Sequence, residues 1–554
     1  MRLFLLLALL ASSAQAEPIR CGDGRVDAVI DTFDFISGWS APFRDRDRPA
    51  VTLNAVPGCT NGALGVRWNL NGGEWFVLVR DLPQPLDLTP FTHLRLALRG
   101  TNPNARLNLQ LKLMDAHGKV FWVVAESVTD LPVWRPMYVD LRELTCFGSC
   151  ADATLDLSKI TQLQLGIALC VRDGAPCEST DASGGIDLDE LAAVDLRPGA
   201  AHRVVAAKRE RVIADPDIRA EAAAAILGHQ HANGLVPAWF PEPSPNYNTY
   251  TEAVALMVFV DEYRRTGDTR YRDAAVRLAN ALRSLQLPNG AWFSAYTLRN
   301  GAIGSFDGSC TGNESGDADV NRCMWVGNVA WAVLALVRAR GVVDVDTSAA
   351  VQWLASQIGR TRDFPELVTS GLEGNVSTWF ALAAAGAPQA RALGDAIYRH
   401  GWDPVERRLK LGARASDFGS AIDMSGSWGA QFLRRTGRAS DALAAQGYAL
   451  SVFPTSSFDG SVEGMGDIAG PWTVTVEFGA QAAAAEIPGA NAILRELLKL
   501  KRPDGSFPGG ADEWFGGVGT PWTTTMTGVA PTAWMYFAQN GDPLLNPKRR
   551  AARH

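Results

Sequence analysis

Histidine is scarce in this chain, with seven in 554 residues: His93, His117, His202, His229, His231, His400 and His554. None belongs to an HExxH helix, and no GxSxG elbow, P-loop or dinucleotide fingerprint stands out, so zinc-peptidase, serine-elbow and nucleotide-dependent chemistries lack their usual residues. A basic stripe is missing too. The net charge is −7, and Lys548-Arg-Arg-Ala-Ala-Arg-His reads as a solvated tail, so no nucleic acid is expected as a partner. The apolar run at the start falls well below the roughly twenty residues needed to cross a bilayer, and no membrane span is expected.

Cysteine is limited to eight residues, all after Ala16: Cys21, Cys59, Cys146, Cys150, Cys170, Cys177, Cys310 and Cys323. The opening, Met1-Arg-Leu-Phe-Leu-Leu-Leu-Ala-Leu-Leu through Ala14-Gln-Ala16, has one positive charge, a short apolar stretch and an Ala-x-Ala end. That pattern predicts a secretory signal over 1–16 and a periplasmic or extracellular protein. An even cysteine count in an exported chain favours disulfides over metal thiolates, and no CxxC or histidine pair supports zinc. Expected are local staples between Cys146 and Cys150, Cys170 and Cys177, and Cys310 and Cys323, leaving Cys21 with Cys59.

At 554 residues the chain exceeds what one hydrophobic core supports. Over 17–200, segments such as Leu107-Asn-Leu-Gln-Leu-Lys-Leu and Thr161-Gln-Leu-Gln-Leu-Gly-Ile alternate with period two between turn residues, which predicts a β-sandwich. The order Asp31-Thr-Phe-Asp-Phe…Gly38-Trp39, Leu86-Asp-Leu-Thr-Pro-Phe-Thr-His-Leu-Arg-Leu, Val133-Trp-Arg and Gly185-Ile-Asp-Leu-Asp-Glu-Leu resembles the galactose-binding-like jelly rolls used as carbohydrate-binding modules. The resemblance implies sugar stacking by exposed aromatics, for which Trp39, Trp75, Phe121 and Trp122 are candidates beside their reading as core. It also implies a possible structural calcium, with Asp31, Asp34 and Asp187 as candidate ligands.

From 206 to 545 the pattern changes. Six apolar runs open on polar and aromatic clusters about fifty residues apart: Tyr250-Thr-Glu-Ala-Val-Ala-Leu, Trp325-Val-Gly-Asn-Val-Ala-Trp, Glu373-Gly-Asn-Val-Ser-Thr-Trp, Asp423-Met-Ser-Gly-Ser-Trp-Gly, Trp472-Thr-Val-Thr-Val-Glu-Phe and Val529-Ala-Pro-Thr-Ala-Trp. One-sided amphipathic stretches alternate with them near 217–230, 270–286, 347–358, 388–399, 438–451 and 488–500. Helices apolar all round are buried and one-sided helices cover them, so six inner and six outer helices are predicted. Segment 299–324 reads as an inserted loop. Its Asp317-x-Asp-x-Asn lacks the later glycine and glutamate of a calcium loop, so no metal is assigned there.

This half resembles the six-hairpin glycosidase superfamily through its helix count, hairpin spacing and the turns Leu287-Pro-Asn-Gly and Arg502-Pro-Asp-Gly. The resemblance implies an all-α (α/α)6 toroid behind the jelly roll, and an inverting glycoside hydrolase acting on an oligo- or polysaccharide, with a monomer expected. In such a toroid the openings meet in one funnel.

Four openings carry a carboxylate: Glu252, Glu373, Asp423 and Glu477. Glycosidic hydrolysis uses two carboxyl groups, one protonated and one ionised. Glu373, beside glycine at a helix start, is the preferred acid, and Asp423 the preferred base. Glu252 and Glu477 either face the funnel or pair structurally, and Asp467 and Asp512, in glycine-rich loops, are alternative bases. Trp325, Trp331, Trp379, Trp428, Trp472, Trp522 and Trp534, with Asn328 and Asn375, are candidate sugar contacts.

A lyase or epimerase on the same toroid would use tyrosine or histidine as base. No histidine stands at an opening, and Tyr250 is the only tyrosine there. A non-catalytic carbohydrate-binding envelope protein is the other alternative.

Overall fold

The computed structural model describes residues 28–59, 61–101, 107–125, 133–148, 154–169, 171–172, 175–176, 183–196, 212, 215–240, 246–299, 302–306, 308, 310–311, 323–414, 417, 419–467, 473–512, 526–541 and 543–544. The expected signal, Cys21, Cys150, Cys170, Cys177, the Asp317 motif, Trp472, Trp522 and the basic tail lie outside them.

The N-terminal part is built of β1 (Ala28–Asp31), β2 (Trp39–Arg44), β3 (Ala50–Pro57), β4 (Gly62–Asn69), β5 (Trp75–Leu86), β6 (His93–Gly100), β7 (Leu107–Asp115), β8 (Val120–Ala125), β9 (Arg135–Asp140), β10 (Thr145–Cys146), β11 (Ile160–Leu169), the hairpin β12 (Val171–Arg172) and β13 (Ala175–Pro176), and β14 (Ser183–Val194). One antiparallel sheet runs β3-β4-β14-β6-β9, with β1 also on β14; the other runs β10-β8-β7-β11-β5-β2. Strict alternation sends Leu109, Leu111, Leu113, Leu163, Leu165 and Ile167 of one sheet, and Leu94, Leu96, Leu98, Ile186 and Leu188 of the other, into one buried core.

Two expectations for this sandwich change. Trp39 and Phe121 are core: Trp39 stacks on Phe33 with ring centres 5.5 Å apart and donates its indole N–H to Asp31 at 2.8 Å. Trp75, 40% exposed, and half-buried Trp122 keep accessible faces. The three aspartates do not form a calcium site. Asp31 pairs with Arg80 and Asp187 with Arg67 (2.7 Å) and Arg99 (2.6 Å), so guanidinium charge already neutralises two of the three, and Asp34, which accepts from the Gly62 N–H, is not clustered with them.

The C-terminal part holds thirteen helices among the described residues: α1 (Arg219–Gly228), α2 (Thr249–Thr266), α3 (Thr269–Leu285), α4 (Val326–Ala339), α5 (Ser348–Gln357), α6 (Leu372–Ala385), α7 (Gln389–Gly401), α8 (Ile422–Ser425), α9 (Trp428–Arg435), α10 (Ala439–Val452), α11 (Val476–Ala484), α12 (Ala490–Leu498) and α13 (Val529–Asn540). Helices α2, α4, α6, α11 and α13 are buried almost all round, as their apolar composition requires. They pack in the order α2, α4, α6, α8 with α9, α11, α13, and α13 returns to α2. The six one-sided helices lie against them: α1 on α13 and α2, α3 on α2, α5 on α4 and α6, α7 on α6, α10 on α9 and α12 on α11. The extra helix arises because the fourth inner helix is broken between Ser425 and Trp428. A side chain at Gly429 would meet the Met424 carbonyl oxygen at 1.8 Å, so the break is tight enough to require glycine.

Cys310 and Cys323 form a disulfide, Cα to Cα 5.6 Å. Cys59 and Cys146 are also disulfide-bonded, to partners outside the described residues.

Two sandwich arginines join the halves. Arg142 binds Asp140 (2.6 Å) in its own half and Asp403 (2.7 Å) and Glu406 (3.1 Å) in the helical half, and all three carboxylates are buried. Arg135 donates to the Ser456 and Ser457 carbonyls at 3.1 and 3.4 Å. His93 lies between Asp140 and Glu406, 3.8 and 3.6 Å away, and its burial lowers its pKa and favours the neutral ring.

Candidate active site

Aligning the inner helices on their first residues reveals a common register. The second residues are Tyr250, Gly327, Glu373, Asp423, Glu477 and Ala530. Four of them meet in space. The Tyr250 hydroxyl donates to Glu477 Oε1 at 2.7 Å, Glu477 and Glu373 both act electrostatically on Tyr250, and Asp423 acts on Glu477.

Asp423 is buried, and desolvation, with the like charge of Asp467 adding to it, pushes it up to about 7 despite the 2.7 Å bond from the Met424 N–H. Glu477 is pushed up to about 7 mainly by burial of its carboxyl, against hydrogen bonds from Tyr250 and from Gln481 Nε2 at 3.1 Å. Glu373, Glu477, Tyr250 and Asp467 are half-buried, whereas Asp423 is buried. Asp467 belongs to this group through its backbone as well, because its carbonyl accepts the Ile422 N–H at the start of α8.

Burial raises the Tyr250 hydroxyl well above its ordinary value, and the Glu477 charge adds to the rise. Tyr250 is therefore held as a proton donor. The sequence singled it out only as a possible lyase base, and its contact with Glu477 spans 227 positions.

The fourth residue of the helices has a different task. Glu252 accepts the Val236 N–H at 3.1 and 3.2 Å, and no neighbouring charge contributes to its strongly raised pKa, which burial dominates. Asn375 accepts the Val368 N–H at 2.9 Å and donates to the Thr369 and Gly371 carbonyls. Thr532 accepts the Phe507 N–H at 3.0 Å. Each ties the loop entering its helix to the helix itself. Asn328, the third residue of α4, does the same through the Ser294 carbonyl at 3.3 Å.

Asp512 accepts the Phe458 N–H at 3.0 Å and the Thr473 hydroxyl, with Arg135 and Asp459 as its charge neighbours. It braces loops rather than joining the carboxyl group at the helix starts.

Three of the candidate tryptophans form a floor. Trp331 lies 5.0 Å from Trp428 and 5.9 Å from Trp534, and Tyr250 packs at 5.3 Å on Trp331. These three indoles are nearly inaccessible, so they close the inside of the ring beneath the carboxyl groups instead of stacking on a sugar. Trp379 packs among Phe380 and Phe432, toward the outer helices. Trp325 alone of the described candidates keeps a half-exposed ring at a helix start. The ring lies across Gly327, where a Cβ would approach it to 2.7 Å, and its indole nitrogen would be 3.9 Å from a Cβ at Gly374, beside Glu373.

No family model matches this chain, and no curated protein matches it. Among solved structures the chain is similar to a β-1,2-glucanase from Parabacteroides distasonis, at 12% identity and TM-score 0.39, covering 92% of this chain and 95% of that one. It is also similar to an inactive variant of an α-1,6-mannanase of Salegentibacter sp. HEL1_6, at 13% identity and TM-score 0.38, over 59% of this chain and 99% of that one. The chain is similar as well to a family 11 carbohydrate-binding module from Clostridium thermocellum, at 13% identity and TM-score 0.25, over 30% of this chain and 95% of the module.

Proposed function

We propose that the chain is an exported glycoside hydrolase of the six-hairpin type, in which an (α/α)6 toroid behind a jelly roll cleaves an oligo- or polysaccharide with inversion. The convergence of Glu373, Asp423 and Glu477 at the second position of three inner helices carries this reading. A glycosidic bond needs one group that gives a proton to the leaving oxygen and one that takes a proton from water, and their best pKa values lie near the working pH.

In this reading Glu373, at the mouth beside Gly374 and Trp325, protonates the leaving oxygen. Asp423 is the base: a carboxylate whose proton affinity has been raised by burial and by Asp467 takes a proton from water more readily than an ordinary aspartate. Glu477, held by Tyr250 and Gln481, is a positioning residue that links Tyr250 to the neighbourhood of Asp423. The raised pKa of Tyr250 keeps its hydroxyl protonated near neutrality, so no phenolate is available there as a base, which favours hydrolysis over lyase chemistry.

The deciding experiment compares the protein with Glu373→Gln on a panel of polysaccharides, following reducing ends and unsaturated uronates separately. New reducing ends that vanish in the variant support the hydrolase. Unsaturated products would make it a lyase, and silence across the panel would favour a binding protein. The anomer formed first, read by proton NMR, tests inversion.

A further inference from the structure

Where the sandwich meets the helical half, an open groove of about 400 Å³ is lined by Glu143, Ser370, Gly371, Leu411, Gly412, Asp417 and Gly419. Glu143 comes from the sandwich, in the short turn Leu141–Glu143 after β9. The others come from two loops of the helical half. Ser370 and Gly371 lead directly into α6, whose second residue is Glu373, and the 411–419 loop leads into α8, whose second residue is Asp423.

The two loops are joined by backbone bonds, Leu372 N–H to the Leu411 carbonyl at 2.7 Å and Ala413 N–H to the Ser370 carbonyl at 2.9 Å, so the groove floor is continuous with both helix starts. Three glycines and a serine leave the floor low. A Cβ at Gly419 would stand 3.2 Å from Leu411 and 3.6 Å from the Glu143 carboxyl, so even a small side chain there narrows the groove.

We propose that this groove is a binding subsite for a neutral sugar unit, built jointly by both halves, with Glu143 as its specificity-determining residue. The proposal rests on the hydrolase reading above for the identity of the ligand. Carboxylates are strong acceptors for vicinal sugar hydroxyls, and two of them facing one groove exclude a uronate by repulsion. Glu143 is held in place because the adjacent Arg142 is fixed to Asp140, Asp403 and Glu406. Burial, followed by the charge of Asp140, pushes Glu143 up to about 7, so near neutrality its carboxyl is partly protonated and serves as donor as well as acceptor, and the repulsion of a uronate strengthens as pH rises above 7. The sandwich is then a wall of the substrate cleft, not an appendage that tethers the enzyme to a distant chain.

The test is calorimetric binding of short and long neutral gluco- and manno-oligosaccharides, and of oligogalacturonate, to the Asp423→Asn protein with and without Glu143→Gln, Glu143→Ala or Gly419→Val. Long neutral chains are expected to bind about ten-fold more weakly in each of the three variants, with short chains unaffected and the thermal midpoint of Glu143→Gln unchanged. Unchanged affinity in both Glu143→Gln and Gly419→Val, binding of no neutral probe, or equal binding of oligogalacturonate would each overturn the subsite. Turnover by the unmodified protein separates the two readings. Hydrolysis indifferent to Glu143 removes the subsite alone, whereas Glu143-dependent binding without any turnover removes the hydrolase alone.

Discussion

Tyr250 and Glu477 hold the same position on two helices from opposite ends of the helical half, and the Tyr250 hydroxyl bridges them by a 2.7 Å bond to Glu477 Oε1. This bond lowers the proton affinity that burial gives Glu477. Tyr250→Phe removes it. The Glu477 carboxyl is then expected to titrate at a higher pH, and the limb of the pH profile of kcat/KM that reports it moves upward. A profile identical to that of the unmodified protein would detach the pair from the reaction.

Replacing Glu373 by Gln or Asp423 by Asn removes a proton donor or acceptor while keeping shape. Each is expected to lower kcat by about a thousand-fold, with KM little changed. Glu252→Gln, by contrast, alters a loop brace, and its main effect should be a lower thermal midpoint. Initial rates and melting curves on all three check this division.

The raised pKa values make a stability prediction of definite sign. An acid that holds its proton more tightly when folded adds stability that is complete below its unfolded pKa, near 4, and is lost as pH rises through about 7. Asp423→Asn removes that loss. Its thermal midpoint should exceed that of the unmodified protein at pH 8, by an amount on the order of a few kcal/mol in stability, and the gain should shrink toward pH 4. An equal midpoint difference at both pH values would contradict the burial assigned to Asp423.

Trp325 and Trp331 are expected to separate binding from stability. Trp325→Ala should raise KM with the melting temperature nearly unchanged. Trp331→Ala opens a cavity under the site and should destabilise the protein by about 3 to 5 kcal/mol.

Arg142→Ala leaves Asp403 buried without its guanidinium, whereas Glu406 keeps Arg408 at 2.6 Å; a buried pair broken on one side costs about 3 to 5 kcal/mol. Thermal unfolding should show the loss, and limited proteolysis should cut between the halves earlier.

Much of this was written locally in the sequence. Period-two segments gave strands with leucines on one face, and one-sided stretches such as 347–358 and 388–399 correspond to α5 and α7 within one or two residues. What the sequence did not disclose was helical phase. Glu252 and Glu373 look alike as carboxylates near a helix start, yet Glu252 is the fourth residue of its helix and Glu373 the second. Two residues turn the side chain by about 200°, which is the difference between bracing a loop and facing the other inner helices. The same phase explains the tryptophans: Trp331 and Trp534 are sixth residues, one turn below Tyr250 and Glu373, and so become floor. Glu143 was invisible for another reason. Nothing near it in sequence announces that Arg142 will bind residues more than 260 positions away.

The return of α13 to α2 also brings the last inner helix to the tyrosine of the first. Trp534 donates its indole N–H to the Tyr250 hydroxyl at 2.6 Å, across 284 positions, so the hydroxyl is held from two helices, by α13 as donor and by α11 as acceptor. Any chain ending before Val529 carries every carboxyl group discussed above and still leaves the flanks of α2 and α11 bare. Every residue of the carboxyl group at the helix starts thus lies before Val529, while one hydrogen-bond partner of Tyr250 comes from the helix after it.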